Sequence, residues 1–115
     1  MAHRVIYQVK FYECDVSSRD RCFQTVASVI SDFGKINHLV NGVAYFGSKG
    51  LTATEVDWNK TMSVNVAGFS HMAQACHQHM KKISQTENCS IVNLSSISAH
   101  QVQPDRYKKQ DQRNL

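Results

Sequence analysis

The stretch "SIVNLSSIS", residues 90–98, carries the pattern that decides the fold. Its β-branched apolar run ends abruptly in polar residues, which is typical of a buried strand that runs out into a turn. We therefore predict a strand over Ile91–Leu94. Ser96 would then lie just beyond the carboxyl end of that strand, either as a polar residue that ends it or as a hydroxyl delivered to a site.

Two earlier segments also have the composition of strands. Val5–Glu13 is rich in β-branched and aromatic residues, from which we predict a strand over Val9–Cys14, and Ile36–Asn41 is short and largely apolar. Neither contains glycine or proline, so both are predicted as strands. The first leads into Asp15 and the second ends at Asn41, so polar side chains follow all three predicted strands.

Segments with the periodicity of amphipathic helices lie between these predicted strands. Ser17 or Ser18 can cap a first helix, which Gly34 is expected to end. The sequence Thr54-Glu-Val-Asp57 resembles a capping box and predicts a long helix over Thr54–Lys82, with a stripe of methionine and aromatic residues for a core or an interface. Alternating strands and helices favour a parallel sheet, whose ligand sites lie beyond the carboxyl ends of its strands.

Composition argues against several classes of function. The chain has 115 residues and a net charge of +4, without a membrane-length apolar segment and without basic residues interleaved with aromatic ones. We therefore expect neither a membrane nor a nucleic-acid partner. The four cysteines are scattered and form no CxxC pair, which favours reduced thiols in a cytoplasmic protein.

Histidines near Cys76 raise the question of a metal site. His71, His77 and His79 share the predicted long helix with this cysteine. Their offsets of six and two residues do not stack on one helical face, and HExxH is absent. We therefore predict no metal site.

Four landmarks follow one another in the sequence, namely "CDVSS" (14–18), "LVNGVA" (39–44), "SVNVAG" (63–68) and "SIVNLSSIS" (90–98). In this order and spacing they resemble the middle of a classical short-chain dehydrogenase/reductase. The resemblance implies an α/β fold, a partial Rossmann-like arrangement of three layers with a parallel sheet. The first two and the last strands of the family fold would be absent. It further implies a partial dinucleotide-binding domain over 1–106 and a divergent polar tail over 107–115.

The resemblance also implies roles in binding NAD or NADP. Asp15 would contact the adenine amino group, with Val16 beside the ring; the alternative for Asp15 is an acidic residue favoured by the dipole at a helix start, and the resemblance favours the adenine role. Asn41 would brace the sheet. Gly42 and Val43 would line the sugar side of the cofactor. The family pattern expects close approach of the backbone at this point, and Val43 places a side chain there.

Two further residues resemble members of the family's catalytic set. Ser96 would hydrogen-bond a substrate carbonyl. Asn65 would hold a water in a proton relay, or would satisfy backbone groups at a helix kink. The expected tyrosine–lysine pair is absent, because Asp111 stands four residues after Tyr107 and Lys109 stands where the tyrosine is expected. The sequence also contains no GxGxxG or GxxxGxG turn for a pyrophosphate.

The sequence therefore predicts a fragment or isoform of an NAD(P)-dependent short-chain oxidoreductase with impaired catalysis. Its ancestral substrate would be a small-molecule carbonyl or alcohol. The alternative is a non-catalytic interaction module, which would associate through its long helix with itself or with a full-length relative. Missing central strands would leave sheet edges open, so poor solubility or self-association is expected.

Overall fold

The structure is a computed structural model that describes residues 8–47 and 49–101. Its regular elements are helix α1 (Arg19–Phe33), strand β1 (His38–Asn41), helix α2 (Glu55–Met62), helix α3 (Gly68–Ile83) and strand β2 (Ser90–Asn93). A π-helical segment, Ser63–Ala67, joins α2 to α3, and these three parts together are called the long helix below. Short 3₁₀ turns lie at Gly50–Thr52 and Ile97–Ala99.

The predicted limits of the first helix are confirmed. The Ser18 hydroxyl accepts a hydrogen bond from the backbone N–H of Arg21 and so caps the start of α1. Gly34 ends the helix in the left-handed conformation, with φ of 80°, and its N–H donates to the Ile30 carbonyl at 2.8 Å. A side chain would be strained at this φ, which is why glycine stands there.

The long helix begins as the sequence predicts. The Thr54 hydroxyl accepts from the Asp57 N–H at 3.3 Å, and the Asp57 carboxylate accepts from the Thr54 N–H at 2.9 Å. This reciprocal pair is a capping box. The sequence analysis did not predict the π-helical segment in the middle of the helix.

Two of the three predicted strands form a parallel sheet. β1 pairs with β2 so that Leu39 lies opposite Ile91 and Asn41 lies opposite Asn93. The predicted strand limits shift by one or two residues, but the α/β class and the parallel direction are confirmed. The carboxyl ends of both strands therefore lie side by side.

The prediction of a strand over Val9–Cys14 is wrong for this structure. The segment is assigned to no strand, and the side chains of Val9 and Phe11 are each 91% exposed. A strand exists only when its backbone pairs with a neighbour. The resemblance implies two strands between this segment and β1, and the described residues supply neither of them.

The segment is instead tied to the end of α1 through Asp32. Lys10 Nζ lies 2.8 Å from Asp32 Oδ1, and the Tyr12 hydroxyl donates to Asp32 Oδ2 at 2.5 Å. Desolvation, together with the hydrogen bond to this carboxylate, raises the pKa of Tyr12 to about 12. Side-chain contacts thus hold the segment in place without a sheet.

The core lies between α1 and α3. Its buried members are Val26, Ala75, Cys76 and Met80, and Leu39 of β1 packs against them. The neighbouring Val40 points to the other face of the sheet, where it is exposed. The described helices thus cover one face of the sheet and leave the other open. None of these helices has both the length and the apolar character needed to cross a bilayer.

Candidate cofactor and catalytic site

The first part of the candidate site is the turn at Asp15. One carboxylate oxygen, Oδ1, accepts from the Ser17 N–H at 3.0 Å and from the Ser17 hydroxyl at 2.7 Å. These two bonds hold the pKa of Asp15 below its usual value, so the exposed side chain is an anion at neutral pH. Oδ2 accepts no hydrogen bond from residues 8–47 or 49–101. It is free to accept one from a ligand amine.

Val16 anchors this turn to the long helix. Its carbonyl accepts from Nδ1 of His71 at 3.0 Å and from the Cys22 thiol at 3.5 Å. A Cβ built on Gly68 would lie 2.7 Å from Cγ2 of Val16, closer than real Cβ contacts allow. Glycine at position 68 therefore lets the turn rest directly against the start of α3.

Asn41 joins the strand ends to the same helix. It is the one buried polar residue of the described chain, with 5% of its surface exposed. Nδ2 donates to Oδ1 of Asn93 at 2.8 Å and to the Phe69 carbonyl at 3.4 Å. Asn41 thus braces β1 against β2 and α3.

Gly42 and Val43 continue from β1 into the loop. A Cβ on Gly42 would lie 3.1 Å from Cδ1 of Leu94, which is a tight contact with the residue after β2. Val43 is exposed. Leu94 therefore leaves little room for a side chain at position 42, while the side chain of Val43 is accessible to a ligand.

Asn65 lies in the π-helical segment and binds the loop after β1. Its Oδ1 accepts from the Tyr45 N–H at 2.7 Å, and its Nδ2 donates to the Tyr45 carbonyl at 3.0 Å. Lys60, one turn earlier in the helix, places its ammonium group 4.6 Å from the centre of the Tyr45 ring. Two independent contacts thus fix Tyr45 against the long helix.

Ser96 lies apart from these contacts. Its hydroxyl accepts from the Ser98 N–H at 3.2 Å and caps the 3₁₀ turn Ile97–Ala99. The side chain is exposed, and no hydrogen bond joins it to Asn65 in the described residues. The structure therefore places Ser96 beyond the end of β2, as predicted, but does not bring it together with Asn65. Tyr107, Lys109 and Asp111 lie outside the described residues.

The sequence analysis missed two residues of this site and the cavity beside it. Gly68 and His71 together hold the Asp15–Val16 turn, and a lone glycine inside a helical pattern is a signal of close backbone approach. A cavity of about 470 Å³ opens next to Tyr45, lined by Phe46, Leu51, Trp58 and Thr61 among others. It lies between the loop after β1 and the first turns of α2.

The residues that could hold a metal ion do not converge. His71 is engaged with the Val16 carbonyl. Within residues 8–47 and 49–101, no three His, Cys, Asp or Glu side chains lie close enough together to share an ion.

Comparison with known proteins assigns the family. The family described as "Enoyl-(Acyl carrier protein) reductase" matches residues 2–108. The chain belongs to the short-chain dehydrogenase/reductase family. An NADP-dependent mannitol dehydrogenase of Alternaria alternata is 30% identical over 101 residues, which are 87% of this chain and 37% of that protein. A tropinone reductase homolog of Arabidopsis thaliana is 37% identical over 94 residues, 80% of this chain and 34% of that protein.

Solved structures give the same family assignment. An NAD⁺-bound xylitol dehydrogenase superimposes with a TM-score of 0.69 at 33% identity, covering 80% of this chain and 35% of that one. A 3-oxoacyl-[acyl-carrier protein] reductase from Brucella melitensis, in complex with NAD, gives 0.73 at 28% identity, with 84% and 40% covered. This short-chain dehydrogenase/reductase chain thus spans a little over a third of the length of these relatives.

Proposed function

We propose that the chain is a fragment or isoform of an NAD(P)-dependent short-chain oxidoreductase that keeps the scaffold of its site and has impaired catalysis. One observation carries the proposal. The helical stretch 65–71 contacts the Asp15–Val16 turn, the end of β1 and the loop at Tyr45. This stretch includes part of the third landmark and contacts the first two, so it joins three of the four landmarks.

The adenosine side of a dinucleotide fits the residues present. Asp15 offers an anionic oxygen to the exocyclic amine of adenine, and Val16 offers an apolar side chain to the ring. Gly42 and Val43 would line the sugar. The pyrophosphate side does not fit, because the 115 residues contain no glycine-rich turn at a helix start. We therefore derive no step of hydride transfer for this chain.

The acid–base chemistry is also incomplete. In the family reaction the nicotinamide supplies or accepts a hydride, while protein groups hold the carbonyl and move a proton. Ser96 and Asn65 keep the residue types for holding the carbonyl and for the relay. Asp111 stands four residues after Tyr107, where the family pattern has a lysine. The division into a partial dinucleotide-binding domain, 1–106, and a polar tail, 107–115, belongs to this proposal.

The substrate class within the proposal is a small carbonyl or alcohol, as the names of the mannitol and xylitol dehydrogenases suggest for a complete relative. A cytoplasmic location is part of the same proposal. It is supported by the four free thiols.

A second candidate function is a non-catalytic interaction module. It is favoured by an exposed apolar stripe on the first half of the long helix. Trp58, Met62 and Val66 follow at spacings of four, and their exposed fractions are 60%, 50% and 55%. Residues four apart share one face of a helix, so these side chains form one continuous surface. Such a face suits a second copy of the chain or a full-length relative.

A nucleotide titration separates the two functions. We expect the purified chain to bind NADH or NADPH weakly, and ADP about as well, because only the adenosine side of the site fits. Asp15→Ala should abolish this binding, while Asp20→Asn, a change of another exposed acid nearby, should leave it unchanged. Self-association without any nucleotide binding would support the interaction module instead.

A further inference from the structure

The cavity beside Tyr45 has no part in the function proposed above. It has a volume of about 470 Å³ and lies between the loop after β1 and the first turns of α2. Sites for small molecules in proteins have volumes of roughly 300–1,000 Å³. This cavity therefore has room for a whole ligand.

Three contacts hold the Tyr45 wall of the cavity in place. Asn65 binds the backbone N–H and carbonyl of Tyr45, and the Lys60 ammonium group lies 4.6 Å from the centre of its ring. The ring also lies against Gly47, where a Cβ would overlap it. This aromatic wall is therefore formed before a ligand arrives, which lowers the cost of ordering it on binding.

The opposite wall is the start of α2, and an ion pair ties the loop to it. Lys49 Nζ lies 2.7 Å from Oδ1 of Asp57, whose side chain is only 12% exposed. This contact, together with the hydrogen bonds from Thr54, lowers the pKa of Asp57 to about 2. The Thr61 hydroxyl donates to the Asp57 carbonyl at 2.8 Å. These charged and polar groups of the wall are thus already bound to one another.

The surfaces that remain for a ligand are aromatic and aliphatic. Phe46 and Trp58 line the cavity with 86% and 60% of their surfaces exposed, and Leu51 and Ala53 line it beside them. Another aromatic ring packs well against such rings in offset or edge-to-face geometry. A charged ligand, in contrast, would lose water and would have to separate the ion pair to gain a partner.

We propose that this cavity is a second ligand site, which takes an uncharged aromatic molecule between Tyr45, Phe46 and Trp58. It is separate from the nucleotide site at Asp15 and does not depend on it. The concave shape favours a small molecule. The neighbouring stripe on the long helix, which begins at Trp58, is a convex surface and suits a protein instead, so the test must separate the two.

A fluorescence titration tests the proposal. Trp58 is the only tryptophan of the chain, so quenching of its emission reports binding close to the cavity. The probe is the uncharged N-phenylnaphthylamine, and its matched analogue is anilinonaphthalene sulfonate, which has the same rings and one negative charge. We expect saturable binding of one uncharged probe per chain and about tenfold weaker binding of the sulfonate.

Two variants change the cavity in opposite ways. Phe46→Ala removes one of the three rings and should weaken the uncharged probe about tenfold. Ala53→Phe adds a ring that would fill the cavity, at a position whose extended backbone, with φ of −64° and ψ of 129°, accepts any residue. It should abolish binding in the cavity, whereas nonspecific adsorption to apolar surface would stay equal or increase.

Two controls lie outside the cavity. Met62→Lys changes the stripe and Asp15→Ala changes the nucleotide site, and both should bind the probe as the parent chain does. Urea unfolding shows that each variant is folded, and Phe46→Ala decides the outcome if Ala53→Phe is not. The proposal is overturned if binding does not saturate, if the sulfonate binds as tightly, if Phe46→Ala and folded Ala53→Phe bind like the parent, or if either control loses binding.

Discussion

The side-chain amide of Asn65 holds both backbone polar groups of Tyr45. The Tyr45 N–H donates to Oδ1 at 2.7 Å, and Nδ2 donates to the Tyr45 carbonyl at 3.0 Å. Asn65 lies inside the π-helical segment Ser63–Ala67. A π-helical turn is often found at a functional site, and here it coincides with the residue that ties the loop after β1 to the long helix.

Removal of this amide should destabilise the chain. Asn65→Ala leaves the half-buried N–H and carbonyl of Tyr45 without their partners, which costs about 1–3 kcal/mol. Asn65→Asp keeps the acceptor for the Tyr45 N–H but loses the donor, so it should also destabilise. Urea unfolding measures both effects. Asn59→Ala, on the exposed surface of α2, is the control, and an equally small effect of all three changes would contradict this role.

A methyl group at position 68 should disturb the Asp15–Val16 turn. Gly68→Ala gains up to about 1 kcal/mol in helix propensity, but its Cβ would lie 2.7 Å from Cγ2 of Val16. Overpacking of this kind costs about 1–3 kcal/mol, so we expect net destabilisation. The new Cβ would also lie 3.1 Å from Cβ of Val16, which rotation of that side chain does not move.

The double variant Val16→Ala/Gly68→Ala tests the cause of that effect. Shortening Val16 removes the atom that the new methyl group meets, so the double variant should lose less stability than the sum of the two single variants. The free energies of unfolding of all four proteins complete the cycle. Strict additivity, or a more stable Gly68→Ala variant, would show that the turn does not press against this glycine.

The stability of the long helix should depend on pH through Asp57. Its carboxylate lies 2.7 Å from Lys49 Nζ and accepts from Thr54, and these contacts, with Lys49 first, lower its pKa to about 2. In an unfolded chain the pKa is about 3.9. Because the folded state binds this proton less readily, the stabilisation is complete above about pH 4 and is lost as the pH falls towards 2.

The variant Asp57→Asn isolates that contribution. It should be less stable than the parent protein near neutral pH, and the difference should shrink between about pH 4 and pH 2. Thermal unfolding across this range provides the measurement. Asp20→Asn, in the first turn of α1, is a control for a general helix-start effect. A difference for Asp57→Asn that stays constant from pH 7 to pH 2 would contradict this assignment.

The sequence predicted the features that depend on neighbours along the chain. Gly34 ended α1, and Thr54 with Asp57 formed the capping box, because both arrangements need only a few adjacent residues. Val9–Cys14 did not form a strand, because strand pairing needs a partner that composition alone does not supply. The four landmarks were identified from the sequence alone. The contacts between their side chains were not predictable, because those contacts link residues far apart in the chain.

The stripe of Trp58, Met62 and Val66 should drive self-association. These side chains are exposed in the single chain, and their burial against a second copy would remove apolar surface from water. Sedimentation velocity should show concentration-dependent association, and Met62→Lys should weaken it. Leu51→Lys, an exposed position outside the stripe, should have little effect. A wild-type chain that stays monomeric at all concentrations would rule out this role.

We propose that the chain keeps the scaffold of a short-chain dehydrogenase/reductase site without its catalytic power. The tyrosine–lysine pair that the family uses for proton transfer is absent at its expected spacing, because Asp111 stands four residues after Tyr107. A site without a pyrophosphate turn would not orient the hydride donor against the carbonyl, and such positioning accounts for roughly 7–11 kcal/mol of barrier.

The most direct test is an absorbance assay of the purified chain with NADH and with NADPH, against a panel of ketones and aldehydes. We predict that oxidation of either cofactor proceeds at the rate seen without protein, and that Ser96→Ala changes nothing. Turnover by the chain that disappears in the Ser96→Ala variant would contradict the proposed loss of catalysis, because it would show that the residues present complete an active site.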